Sequence, residues 1–165
     1  KFKFIKSNSN LLDIGAFPGG WSQICSKIVS KGKILALDTK KIDEIKNVDF
    51  LQCDFLEEGT DIKVLKFFGK KLDVILSDMA ADTTGNKSLD CIRTNQLCAK
   101  VLKFSSQNLK SNGVMVSKLF MGDDFLEVKE LARSIFKKVH FFKPEASRNE
   151  SKETYLHCAI LKSLK

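Results

Sequence analysis

Apolar residues in this chain fall into short runs that alternate with stretches of helical spacing, and the alternation recurs from end to end. Asn10–Ile14 is brief, apolar and closed by Gly15, as a buried strand would be. Trp21, Ile24, Cys25 and Ile28 then share one face of a helix over 21–29, which Ser30-Lys31-Gly32 stops. Lys33–Leu37 is a second apolar strand, ending at Asp38. Strand, helix and strand in this order predict a right-handed crossover between parallel strands.

Asp49–Phe55 and Leu72–Asp78 read as further strands, with Asp61–Phe68 a helix between them. Met79–Leu89 is small and polar, as a surface loop would be. Cys91–Leu109 regains helical spacing and Ser111-Asn112-Gly113 closes it. Val114–Ser117 makes a fifth strand with Lys118 at its end, and Asp123 or Asp124 can cap a helix running to about Lys137. Val139–Phe142 and Glu153–Leu161 are strands joined by the polar segment 143–152 with no helix between, so they should pair antiparallel. The expected fold is α/β and Rossmann-like: a mostly parallel seven-stranded sheet ending in an antiparallel hairpin, with helices on both faces. Residues 1–9, KFKFIKSNS, fit either a short edge strand or a basic lead-in.

Composition narrows the partners. At 165 residues the chain has the size of one domain, 1–165, and 43% hydrophobic residues suffice for one core. A net charge of +8, carried by 25 Lys and only 3 Arg, suits a polyanionic partner, and equally a lysine-rich solvated surface. The five cysteines are odd in number and never form C-x-x-C, which points to reduced thiols in a cytoplasmic or organellar-matrix compartment. With His140 and His157 the only histidines, no zinc spacing can be assembled, and no metal is expected. No apolar run is long enough to span a bilayer, and the lysine-rich start has no signal-peptide core. The chain lacks an initiator methionine, so a trimmed or partial product is expected.

The candidate chemistry gathers at the strand ends. Gly15-Ala16-Phe17-Pro18-Gly19-Gly20 lacks the middle glycine of G-x-G-x-x-G and so offers no diphosphate cradle. Such a turn lets the backbone approach a nucleoside carrying an amino-acid tail. Asp38 could accept from both ribose hydroxyls and Asp54 from the adenine amino group, while Asp78 ends the fourth strand. Each acid alone is more readily a helix cap or a solvated loop residue than a ligand group. Three at successive strand ends favour a shared ligand site.

The blocks LLDIGAFPGGWSQ, ILALD, DFLQCDF, DVILSDMAADTTG, GVMVSKLFMG and KPEASRNESKETYL resemble, in order and separation, the FtsJ type of S-adenosylmethionine-dependent ribosomal RNA 2′-O-ribose methyltransferases. The resemblance covers almost the whole chain and implies a class I methyltransferase fold with S-adenosylmethionine as cofactor. By matching motif it implies that Gly15, Gly19, Trp21, Asp38, Asp54 and Asp78 contact the cofactor, and that Asp78, Lys118 and Glu153 are catalytic. The family's fourth catalytic residue is a lysine upstream of the glycine-turn strand. This chain begins twelve residues before Asp13, and the setting of Lys1, Lys3 and Lys6 matches the segment after that lysine, so none is assigned its role. Phe17, where the family has a small residue, and Ala81, where it has proline, depart from the pattern without removing a chemical group.

A ribose hydroxyl is a poor nucleophile and a sulfonium methyl is already activated, so the enzyme must align the two and manage one proton. Lys118 could remove that proton or, as a cation, stabilise the developing alkoxide. Asp78 and Glu153 would steer it. The expected substrate is a uridine of large-subunit ribosomal RNA, free or within the ribosomal subunit, with the enzyme a monomer. A tRNA 2′-O-methyltransferase or a non-catalytic RNA-binding assembly factor are the alternatives. Residues 137–165 hold seven basic residues against three acids, and Lys143, Arg148 and Lys152 lie beside Glu153, a patch that could position phosphates.

Overall fold

The computed structural model describes residues 3–122, 124–144 and 152–163. Its elements run β1 (Asn10–Ile14), α1 (Gly20–Ile28), β2 (Lys33–Asp38), β3 (Asp49–Gln52), α2 (Thr60–Phe68), β4 (Leu72–Ser77), α3 (Lys87–Asn108), β5 (Leu109–Phe120), α4 (Phe125–Ile135), β6 (Phe136–Phe142) and β7 (Glu153–Leu161). The seven strands form one sheet in the order β3-β2-β1-β4-β5-β7-β6. Strands β1 to β5 pair in parallel, and β7 lies antiparallel between β5 and β6; the antiparallel pairing of β6 with β7 is the one their polar connecting sequence predicts.

Side-chain alternation along the strands explains the layers. Leu12, Leu35, Ile75 and Met115 meet Val64 of α2, Leu102 of α3 and Val128 of α4 on one face of the sheet. Leu11, Ile34, Val74 and Val116 meet Cys25 of α1, Val29 and Ile5 on the other. All five residues of β1 are buried, so the glycine turn that follows it is anchored at the centre of the sheet.

Several boundaries move, with consequences for the site. Helix α3 begins at Lys87, within the segment read as loop, because the Asn86 side chain accepts from the Ser88 and Leu89 N–H groups. Ser111-Asn112-Gly113 lies inside β5 at an irregular register against β4, so Lys118 sits within the strand and not at its end. Two further residues, Leu119 and Phe120, continue the pairing with Thr154 and Glu153. Strand β3 stops at Gln52, which puts Asp54 in the following turn, where its carbonyl accepts from Glu57 N and Thr60 Oγ1. Asp124 occupies the N-cap position of α4 but makes no capping bond, its carboxylate accepting instead from Asn95 Nδ2 at 2.7 Å. Asp123, Lys1 and Arg148 lie outside the described residues. Residues 3–9 form no strand: the Ser7 carbonyl accepts from the N–H groups of Ser30, Lys31 and Gly32, which ties the lead-in to the loop before β2.

Candidate active site

The C-terminal ends of β1, β2 and β4 open onto a cleft of about 530 Å³ lined by Gly15, Asp38, Asp54, Asp78, Met79 and Leu97, among others. Its first wall is the glycine turn. Gly15 has φ +72°, and a Cβ there would lie 2.9 Å from both the backbone nitrogen and Cγ of Met79, so the position requires glycine twice over. Gly19, with φ +111°, is the N-cap residue of α1. Asp38 holds this turn in place, since its Oδ2 accepts from Phe17 N at 2.9 Å and its Oδ1 from Lys40 N at 2.8 Å. Its oxygens keep further lone pairs for a ligand. Asp54 is exposed in the cleft wall, and its Oδ1 accepts from Leu56 N at 2.8 Å.

Asp78 belongs both to this cleft and to a second group of residues. Lys118 Nζ lies 2.9 Å from Asp78 Oδ1 and 3.7 Å from Glu153 Oε2, and its side chain is only 13% exposed. Register brings these groups together: Lys118 stands opposite Tyr155, and Phe120 opposite Glu153. Three residues separated widely in sequence thus form one ion-paired cluster at the mouth of the cleft. Trp21 packs beside this cluster on Tyr155, ring centroids 5.5 Å apart, and not in the lining of the cleft itself.

Tyr155 is the residue that motif reading missed. Its hydroxyl donates to Asp78 Oδ1 at 2.8 Å, the oxygen that also pairs with Lys118. Burial, then the charge of Asp78, raise its pKa above the ordinary phenol value, so it remains a donor. The signal lay two positions after Glu153, where strand alternation puts a side chain on the same face. Arg93, Gln96 and Lys100 of α3 also line the cleft and carried no sequence signal beyond helical spacing.

Asp13 is fully buried beneath the turn. Ser22 Oγ donates to its Oδ2 at 2.6 Å, and Oδ1 has no hydrogen-bond partner among the described residues. Burial, with Asp78 and Asp38 adding to it against the Ser22 bond, pushes its pKa up to about 7.

A doubly wound sheet with this strand order and an acid-lined cleft at the glycine turn is that of a Rossmann-like methyltransferase. The FtsJ-like methyltransferase family model matches residues 1–161, and the chain belongs to that family. It is 41% identical over 162 residues to the ribosomal RNA large subunit methyltransferase E of Pelagibacter ubique, covering 98% of this chain and 80% of that protein. To the Wolbachia pipientis protein of the same name it is 43% identical over 157 residues, covering 94% and 80%. A solved Plasmodium falciparum structure described as a ribosomal RNA methyltransferase superposes with a TM-score of 0.83 at 30% identity, over 95% of this chain and 88% of that one. The Methanococcus jannaschii fibrillarin pre-rRNA processing protein, at 18% identity and TM-score 0.70 over 97% of this chain and 70% of its own, shares the fold.

S-adenosylmethionine is the cofactor of this enzyme. The residues present fit it: the cleft is of ligand size, the glycine turn gives close backbone approach, Asp38 and Asp54 offer acceptor oxygens to hydroxyl and amino groups, and Asp78 offers a negative charge to a cationic sulfonium. No helix among the described residues is long and apolar enough to cross a membrane, and no group of three or more His, Cys, Asp or Glu side chains there could hold a metal ion.

Proposed function

We propose that this chain methylates a ribose 2′-hydroxyl of large-subunit ribosomal RNA, a uridine within the RNA or the ribosomal subunit. The names of its relatives support the substrate class, and the Asp78–Lys118–Glu153 cluster at the mouth of the cofactor cleft carries the reading. Gly15, Gly19, Asp38 and Asp54 would hold the cofactor, with Asp38 accepting from ribose hydroxyls and Asp54 from an adenine amino group, and Trp21 would shape the far side of the turn. When bound, S-adenosylmethionine supplies a methyl group activated by its sulfonium sulfur. Asp78 would border that group, and it fixes Lys118 at 2.9 Å. Lys118, as the paired ammonium, donates to the 2′-oxygen, orients it and stabilises the charge that develops as its proton leaves. Glu153, 3.7 Å from Nζ, is the acceptor for that proton.

The five cysteines are all unpaired, which supports a reducing compartment such as the cytoplasm, and the chain acts as a monomer. Sedimentation should give one species near 18.6 kDa. The activity is tested with labelled S-adenosylmethionine and, separately, tRNA, free large-subunit RNA and ribosomal subunits lacking 2′-O-methylation, followed by mapping of alkali-resistant linkages. Label in large-subunit RNA is expected. Label confined to tRNA would reject the substrate, and RNA binding without label would reject the activity.

A further inference from the structure

The sheet edge beside Lys118 carries a second feature. Lys118, Tyr155 and Phe142 are register partners across β5, β7 and β6, so their side chains stand in one row on one face. The Phe142 ring stacks on Tyr155 with centroids 5.7 Å apart and planes at 23°. Phe142 is nonetheless 44% exposed. Among the described residues the only other exposed phenylalanine is Phe17, which lines the cofactor cleft with Lys40 over its ring. Phe142 continues a stripe: Lys138, His140 and Phe142 occupy alternate positions of the edge strand β6, and all three are exposed. Exposed Lys143 and Lys152 follow at the same end of the hairpin.

A lone exposed phenylalanine on a soluble protein needs no explanation. An exposed ring set near the exposed Lys138, Lys143 and Lys152, stacked on the residue that hydrogen-bonds Asp78, does. Aromatic faces flanked by cations are how proteins hold unstacked RNA bases, whose rings stack while lysines meet the phosphates. Two strand spacings separate β5 from β6, roughly 10 Å. That places Phe142 about one nucleotide away from the oxygen held at Lys118, too far for the base of the same nucleotide.

We infer that Phe142 is a stacking platform for the base that flanks the methylated nucleotide, with the Lys138 side of β6 following the RNA backbone. The inference rests on the RNA-methylating reading above. It gives the edge strand a part in presenting the target ribose: with the neighbouring base held on Phe142, the 2′-hydroxyl is drawn toward Lys118.

Phe142→Ala, Phe142→Leu, Phe142→Tyr and Phe142→Trp, compared with the wild type on large-subunit RNA lacking 2′-O-methylation, test it. Loss of the ring should raise the KM for RNA by about 5- to 150-fold, the range of one lost base stack, with the Kd for S-adenosylmethionine unchanged. Tyr and Trp should restore most of the affinity and Leu should not. Equal rescue by Leu, or a fall in Tm that tracks the loss of affinity, would assign Phe142 to packing within the protein and overturn the inference. An unchanged KM in Phe142→Ala would overturn it as well. Absence of RNA methylation by the wild type would instead strike the underlying activity.

Discussion

Tyr155 and Lys118 meet on one atom: the phenol donates to Asp78 Oδ1 at 2.8 Å and the ammonium pairs with the same oxygen at 2.9 Å. The carboxylate is therefore held from two sides, and the position of the lysine depends on a residue that need not touch substrate. Tyr155→Phe keeps the ring contacts with Trp21 and Phe142 and removes only that hydrogen bond. A hydrogen bond to a charged group is worth about 1.5–3 kcal/mol, so kcat should fall roughly 10- to 100-fold. The Kd for S-adenosylmethionine and the KM for RNA should stay within about twofold, because the change acts on alignment. Steady-state kinetics with both substrates varied checks this, and a rise in KM with kcat intact would place Tyr155 in binding instead.

Gly15→Ala should damage both fold and site. The residue would be forced into a left-handed backbone that disfavours a side chain by roughly 1–2 kcal/mol. Its Cβ would also press on the Met79 backbone nitrogen at 2.9 Å. Overpacking of this kind adds about 1–3 kcal/mol, so the Tm should drop by on the order of 4–20 °C. Calorimetry measures the drop, and isothermal titration should show weaker cofactor binding, since Met79 lines the same cleft.

Asp13 makes stability depend on pH in a definite direction. Its folded pKa is raised from the ordinary 3.8 to about 7, so between these values the folded state binds the proton more tightly than the unfolded chain does. The stability contributed by the protonated acid is present at low pH and is lost as pH rises from about 4 to about 7, on the order of 4 kcal/mol in all. Asp13→Asn cannot titrate, and its side-chain oxygen can still accept from Ser22. The cofactor-free variant should thus lose less stability than the wild type between pH 5 and pH 8, and be the more stable of the two at pH 8. Urea denaturation at the two pH values is the check.

Much of this architecture is legible in the sequence alone. Short apolar runs closed by glycine or aspartate, as at Ile14-Gly15, Leu37-Asp38 and Ser77-Asp78, mark buried parallel strands because both of their faces must be apolar. The lack of a helix between Phe142 and Glu153 announced the antiparallel hairpin. Asp38 and Asp78 lie at the strand ends where the pattern put them, on either side of the glycine turn.

What stayed hidden depends on register and on local capping. Ser111-Asn112-Gly113 has the composition of a turn yet lies in β5, since the irregular pairing with β4 absorbs the extra residues. Lys87 and Ser88 are polar and look like loop, but the Asn86 cap draws them into α3. Tyr155 reads as a core residue of an apolar strand, and only the pairing of β5 with β7 shows that its polar end reaches Asp78. The exposure of Phe142 beside it is likewise a property of the sheet edge and is invisible in the run His140-Phe141-Phe142.

The role of the cluster that Asp78 shares with the cofactor cleft is tested most directly by single-turnover methyl transfer from labelled S-adenosylmethionine to large-subunit RNA by Lys118→Ala, with cofactor binding measured on the same preparation. The rate should fall by about 10²- to 10³-fold, the scale of removing a principal charge-stabilising group, with the cofactor Kd within about threefold of wild type. Transfer at a rate comparable to the wild type would contradict it.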